Sequence, residues 1–163
     1  MARVEIVMGS DSDFPVMRKA VEQLDEFGVE YEVSVASAHR TPDRVADMAS
    51  SALDRGVEVI IAGAGMAAAL PGVIAAHTTV PVIGVPLSGS SLDGVDALYS
   101  IVQMPPGIPV ATVGIDGARN AAVLAVQLLA MNDAELAERL ATYRAQMADG
   151  VTQKNENIHN MLD

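Results

Sequence analysis

Short apolar runs alternate along this chain with longer stretches in which apolar residues recur every three or four positions. The first run, VEIVM at 4–8, stops at Gly9. Val16, Met17, Ala20, Val21, Leu24 and Phe27 then fall at helical spacing. Asp13 is placed as an N-cap, Pro15 lies in the first turn, and Gly28 is the stop. Residues 30–35 predict a second strand, and Thr41 and Pro42 open a helix with Val45, Ala46, Met48, Ala49, Ala52 and Leu53 on its apolar side. A third strand is predicted over 57–62, followed by GAGMAAALPGVIAAH (63–77), which reads as a short helix or helical turns. A fourth is predicted over 80–86, although Pro81 and Pro86 sit awkwardly in a central strand. A helix from about Asp93, a strand over 110–115 and an Ala-rich helix over 120–131 complete the alternation. The last helix, about 133–150, carries Leu136, Leu140, Tyr143, Met147 and Val151, and 152–163 reads as a loose polar tail.

Strands and helices that alternate five times predict an α/β fold with a parallel sheet covered on both faces. The near-continuous apolar strands agree, because parallel strands are buried on both sides. The prediction is a single domain over 1–163: a three-layer αβα, flavodoxin-like five-stranded sheet in the order 2-1-3-4-5, plus an extra C-terminal helix. The run AAVLAV at 121–126 leaves the fifth helix too little polar face for a monomer's surface, so the terminal helix or another subunit should cover it.

Composition narrows the chemistry. The chain of 163 residues is 50% hydrophobic and only 3% aromatic, and has a formal net charge of −11. That charge argues against a nucleic-acid or anionic-membrane partner. With no cysteine, disulfides, zinc-thiolate sites and a thiol nucleophile are excluded. The opening MARVEIVMGS reads as a strand rather than a secretion signal, and no apolar run is long enough to span a bilayer, which predicts a cytoplasmic protein.

In open α/β sheets ligands bind beyond the carboxyl ends of the strands. Four loops fall there: 9–13 (GSDSD), 37–41 (SAHRT), 63–67 (GAGMA) and 88–91 (SGSS). Taken singly, each is ordinary turn and capping chemistry, and GAGMA is neither a GK[ST]-ended phosphate loop nor GxGxxG. Together they bring hydroxyls, backbone N–H groups and helix starts to one edge, which suits an anion. Only the second adds a cation and a titratable group, Arg40 and His39. An imidazole can take and give a proton near neutral pH. Of the other histidines, His159 lies in the polar tail, and His77 reads as a helix C-cap or surface residue.

MGSDSD (8–13), SAHRTP (37–42), GAG..AA.LPG (63–72) and GVDALYSIVQMPPGIPVATVGI (94–115) together resemble the class I PurE family, from about residue 3 to 150. These are the N5-carboxyaminoimidazole ribonucleotide mutases of de novo purine biosynthesis. The resemblance implies an enzyme without metal or cofactor that moves a carboxylate from N5 to C4 of the aminoimidazole ribonucleotide, through decarboxylation and recapture of CO2. It implies His39 as proton shuttle, Ser10, Asp13 and Arg40 at the ribose phosphate, Ser37 at the ligand, and Ala64 and Gly65 around base and carboxylate. A carboxylate cannot accept from a phosphate dianion, so Asp13 suits the ribose hydroxyls better. The family also implies a cytoplasmic homo-octamer with sites built between subunits.

The chain departs from the family in one loop. The common GAGGAAHLPG is here GAGMAAALPG, with Met66 for a glycine and Ala69 for a histidine. Met66 suits a buried loop as long as the backbone does not need positive φ. Ala69 removes an imidazole, and that loss lowers affinity or rate if the family histidine contacts the substrate carboxylate; His77 is the one candidate to replace it. Two other functions therefore stay open: a carboxylase that uses CO2 directly, or a relative acting on another carboxylated heterocycle, and a non-catalytic nucleotide-binding paralogue.

Overall fold

The computed structural model describes residues 2–162. Among them, five strands, β1 (Val4–Met8), β2 (Tyr31–Val35), β3 (Val59–Gly65), β4 (Val82–Leu87) and β5 (Ala111–Thr112), form one parallel sheet in the order β2-β1-β3-β4-β5. The helices are α1 (Phe14–Phe27), α2 (Pro42–Ser51), α3 (Leu70–His77), α4 (Val95–Val102), α5 (Ala118–Ala130) and α6 (Ala134–Asn160). Period-two alternation sorts the strands between two cores. Val4, Ile6, Met8, Ile61 and Ile83 pack against α1 and α5. Val7, Ile60, Ala62 and Val82 pack against α2, α3 and α4 on the other face.

Register fixes where the site lies. Met8 pairs with both Val35 and Gly63, so β2 and β1 end level, β3 runs two residues further to Gly65, and all three release their following loops on one edge. At Gly63 the chain needs the missing side chain. A Cβ there would run into the side chain of buried Met17, so glycine lets α1 lie close beneath this edge.

Three expectations need correction. The fifth strand is a two-residue ladder instead of spanning 110–115. Val113 N–H still donates to Gly84 O and Asp116 N–H to Pro86 O, so the chain stays alongside β4 without a regular ladder, and Pro86 has no N–H to contribute. Pro81 precedes β4 and Pro86 lies inside it, so only one of the two prolines interrupts the strand.

The second correction is the tail. Helix α6 runs to Asn160, past the predicted end near 150. The segment from 152 to 160 has no Gly or Pro, and local bonds such as Thr152 Oγ1 to Ala148 O and Gln153 Nε2 to Asn157 Oδ1 support the extra turns. Only the first half of α6 packs on the domain, through Leu136, Leu140 and Tyr143, whose ring lies 5.0 Å from that of Phe27. From Arg144 onward the helix is exposed, including Met147 and Val151 of the predicted stripe. The Ala-rich α5 is covered by α1 on one side and α6 on another, with Ala118, Ala121, Ala122, Ala125 and Val126 buried. Among the described residues no helix is long and apolar enough to cross a membrane.

The third correction concerns two caps. Neither Asp13 nor Thr41 caps its helix through the side chain. Both side chains instead hold the site loops.

Candidate functional site

The first loop is locked by a capping box. Ser10 Oγ accepts from Ser12 N–H, and Asp13 Oδ2 accepts from Ser10 N–H at 3.0 Å, around a single 3-10 turn, Asp11–Asp13. Partial burial pushes the Asp13 carboxyl above the usual carboxylate range, against the pull of the Ser10 and Gly9 N–H groups and the charge of Arg40.

The second loop folds on itself through Thr41. Its Oγ1 accepts from Ser37 N–H at 2.9 Å and donates to Ser37 O at 3.1 Å. Ser37 Oγ in turn accepts from the backbone N–H and Nε–H of Arg40. The guanidinium then reaches across to the first loop, where Nη2 donates to Gly9 O at 3.1 Å. His39 is exposed at the turn, and among the described residues no group bonds to its ring nitrogens.

The third loop leaves β3 at Gly65 and enters α3 at Leu70. It supplies an almost wholly apolar wall of Ala64, Gly65, Ala67, Ala68, Ala69 and Leu70. Together the three loops enclose a cavity of about 480 Å³. Ser10, Asp13, Ser37, His39, Arg40, Ala64 and Gly65 all line it. The structure therefore brings together every residue singled out from the sequence for this site.

Three results differ from expectation, while His77 takes the exposed position at the end of α3 that its sequence context predicts. The 88–91 loop does not line the cavity, because Ser88 N–H and Oγ–H donate to the Asp116 carboxylate and Ser90 Oγ–H donates to Asp96. His77 does not stand in for the missing histidine. It lines a separate cavity with Thr78, Thr79 and Pro109, beside the amino end of β4 and away from the site edge. Met66 is neither buried nor in ordinary backbone geometry: φ is 54° and the residue is 65% exposed. Finally, Gly9 and Ser12 line the cavity together with Ser10 and Asp13, the two residues of the 9–13 loop assigned to the ligand from sequence. The hydroxyl of Ser12, two residues past Ser10 in a turn of polar residues, was the available signal.

This geometry combines one cation, one unbonded imidazole, several hydroxyls and a methyl-lined wall. It can hold an anionic group at Arg40, place a planar ring against the wall, and move a proton at His39. Comparison with known proteins identifies the family. The family described as "AIR carboxylase" matches residues 3–150. An N5-carboxyaminoimidazole ribonucleotide mutase of Pyrococcus abyssi is 60% identical over 147 residues, covering 90% of this chain and 84% of that protein. A mutase of the same name from Thermotoga maritima is 53% identical over 158 residues, covering 97% and 92%. The crystal structure of Treponema denticola PurE superposes with a TM-score of 0.86 at 33% identity, over 94% of this chain and 96% of that one. By sequence along nearly its whole length and by fold, this chain belongs to the AIR carboxylase (PurE) family.

Proposed function

We propose that the protein is an N5-carboxyaminoimidazole ribonucleotide mutase acting in purine biosynthesis. The observation that carries this reading is the unbonded His39 imidazole set in the same cavity as Arg40 and the Ala64–Gly65 wall, in a chain 60% identical to a mutase. Arg40 and the hydroxyls of Ser10 and Ser37 hold the ribose phosphate. Asp13 accepts from ribose hydroxyls, a role that its anchored Oδ2 leaves to its other oxygen.

The reaction then needs one proton carrier. The protonated imidazole of His39 gives its proton to N5 as the N5–carboxyl bond breaks and CO2 forms. C4 of the ring attacks the CO2, and the carbon–carbon bond forms. The proton displaced from C4 returns to His39, so atoms and charge balance and the net change is an isomerisation. Walls of Ala64, Gly65 and Ala68 offer the CO2 no hydrogen-bonding side chain, which favours recapture by the ring carbon.

The test is His39→Asn with two readouts. The variant should bind the ribonucleotide in calorimetry and lose both turnover and exchange of the C4 proton in deuterated water. Wild-type turnover in that variant would remove the shuttle role. A direct carboxylase is the second reading, favoured by the methyl group of Ala69 where the family places an imidazole. Product from the unmodified nucleotide plus bicarbonate, with none from the N5-carboxy nucleotide, would select it.

The same reading carries a cytoplasmic homo-octamer. Leu92, in the turn before α4, and Val95, Tyr99 and Val102 on it are exposed apolar residues, 44–62% accessible, and the second half of α6 stands clear of the domain. Both are the kind of surface that a further copy of the chain covers. Sedimentation of a stable 17.0 kDa species would exclude the assembly.

A further inference from the structure

Met66 is the one large apolar side chain on the rim of the cavity whose backbone is held in the left-handed region. A side chain at φ 54° is disfavoured by contact between Cβ and the following carbonyl. Burial does not offset that cost here, because the residue is 65% exposed. Its loop has small residues on both sides, Gly65 and Ala67, and either glycine or alanine at 66 would leave the cavity the same floor. An exposed strained residue at a site edge points to work done with the ligand present.

We propose that Met66 folds over the bound imidazole ring and closes the apolar side of the cavity, which limits loss of CO2 and entry of water. The inference rests on the mutase reading and adds to it a substrate-contacting residue. Three features of the site favour it. Methionine is unbranched and turns freely about three bonds, so it can lie down on a ligand after entry, and its polarisable sulfur contacts aromatic rings favourably. His39 and Arg40 of the second loop line the same cavity as the third loop, so a planar ring held at His39 has its apolar contacts to make with the third loop. The Ala67–Ala69 methyls are too short to cover a ring from that side, and Met66 is the long apolar side chain next to them.

The test uses the chemistry of the sulfur itself. Dilute hydrogen peroxide converts exposed methionines to sulfoxides, and peptide mass mapping reads each site. Met131 and Met161, each 78% exposed, are internal references. Saturating aminoimidazole ribonucleotide should slow oxidation of Met66 several-fold and leave Met131 and Met161 unchanged. In turnover, Met66→Gly should raise the ratio of released decarboxylated nucleotide to rearranged product several-fold, and Met66→Leu should restore it towards wild type. The glycine variant should be no less heat-stable, since it relieves the strained backbone. Unchanged Met66 oxidation with nucleotide demonstrably bound, or an unchanged product ratio in Met66→Gly, would overturn the proposal and leave the mutase reading standing. Absence of both nucleotide binding and conversion in the wild-type protein would overturn that reading, and this one with it.

Discussion

Arg40 Nη2 donates to the carbonyl oxygen of Gly9 at 3.1 Å and so ties together two loops 31 residues apart in sequence. The same side chain holds Ser37 Oγ through Nε at 3.4 Å. One planar guanidinium thus spans both loops and still has N–H groups for a phosphate, a geometry that an ammonium cannot copy. Arg40→Ala should raise KM for the ribonucleotide by roughly 10–100-fold, the equivalent of one charged hydrogen-bonding group. Arg40→Lys should recover only part of it, and kcat should fall less than affinity in both. Steady-state kinetics checks this. Equal KM values for lysine and arginine would refute the bridging role.

Asp13 separates loop support from ligand contact. Its Oδ2 accepts from Ser10 N–H, and asparagine can do the same through Oδ1. Asp13→Asn should therefore keep the turn, while Asp13→Ala should lose about 1 kcal/mol, as other cap deletions do. Burial raises the Asp13 pKa in the folded chain, so its favourable contribution is present at low pH and lost as pH rises through the folded value. The melting temperature of Asp13→Asn relative to wild type should accordingly climb from acid towards neutral pH. Both variants should bind nucleotide more weakly. A turn that survives in Asp13→Ala without loss of stability would contradict this account.

The sheet order was legible because every strand but the edge strand β2 is an apolar run with a Gly or Pro at or near its end, and the cavity was legible because its residues directly follow strands. What escaped reading depends on partners distant in sequence or on conformation. The 88–91 loop looked like Ser10–Asp13, but Asp116, 28 residues on, takes both donors of Ser88. Thr41 looked like a helix cap, yet its hydroxyl closes the His39 turn by two bonds to Ser37. Composition alone could not tell that 152–160 would continue as helix, because nothing there packs on the domain and the support is all local. Met66 looked tolerable only while its φ was unknown.

Two buried glycines should differ in what alanine costs. At Gly63 a Cβ meets the sulfur and neighbouring carbons of Met17, an unbranched side chain that can turn aside. At Gly84 it meets Cγ2 of Ile101 and, at 3.0 Å, Cγ1 of Val110, both stiff at χ1. Gly84→Ala should destabilise by about 3 kcal/mol or more, and Gly63→Ala by about 1–2 kcal/mol, within the range for overpacked cores. Denaturant unfolding measures both. The reverse order would show that α1 is held more rigidly over the sheet than α4.

Glu5 and Arg55 give the clearest dependence of stability on pH. Glu5 stands in β1, flanked by β2 and β3, is 2% exposed, and its carboxylate accepts from Arg55 Nη2 at 2.5 Å and from Ser34 Oγ at 3.4 Å. Arg55 also pairs with Glu32. Burial dominates over the ion pair and lifts the Glu5 pKa above the ordinary glutamate value. The folded chain therefore binds the proton more tightly than the unfolded one, so this group's contribution is full below the unfolded value and is lost as pH rises through the folded one. Removing Arg55 leaves the buried carboxylate without its cation and should lift its pKa further. Arg55→Met should then cost about 3–5 kcal/mol near neutral pH, as broken buried pairs do. That cost should shrink as the solution is acidified towards about pH 4, because the orphaned Glu5 takes up a proton and buries no charge. Paired unfolding curves of wild type and variant across that interval measure the difference directly. A cost that stays constant with pH would mean that Arg55 acts by packing alone.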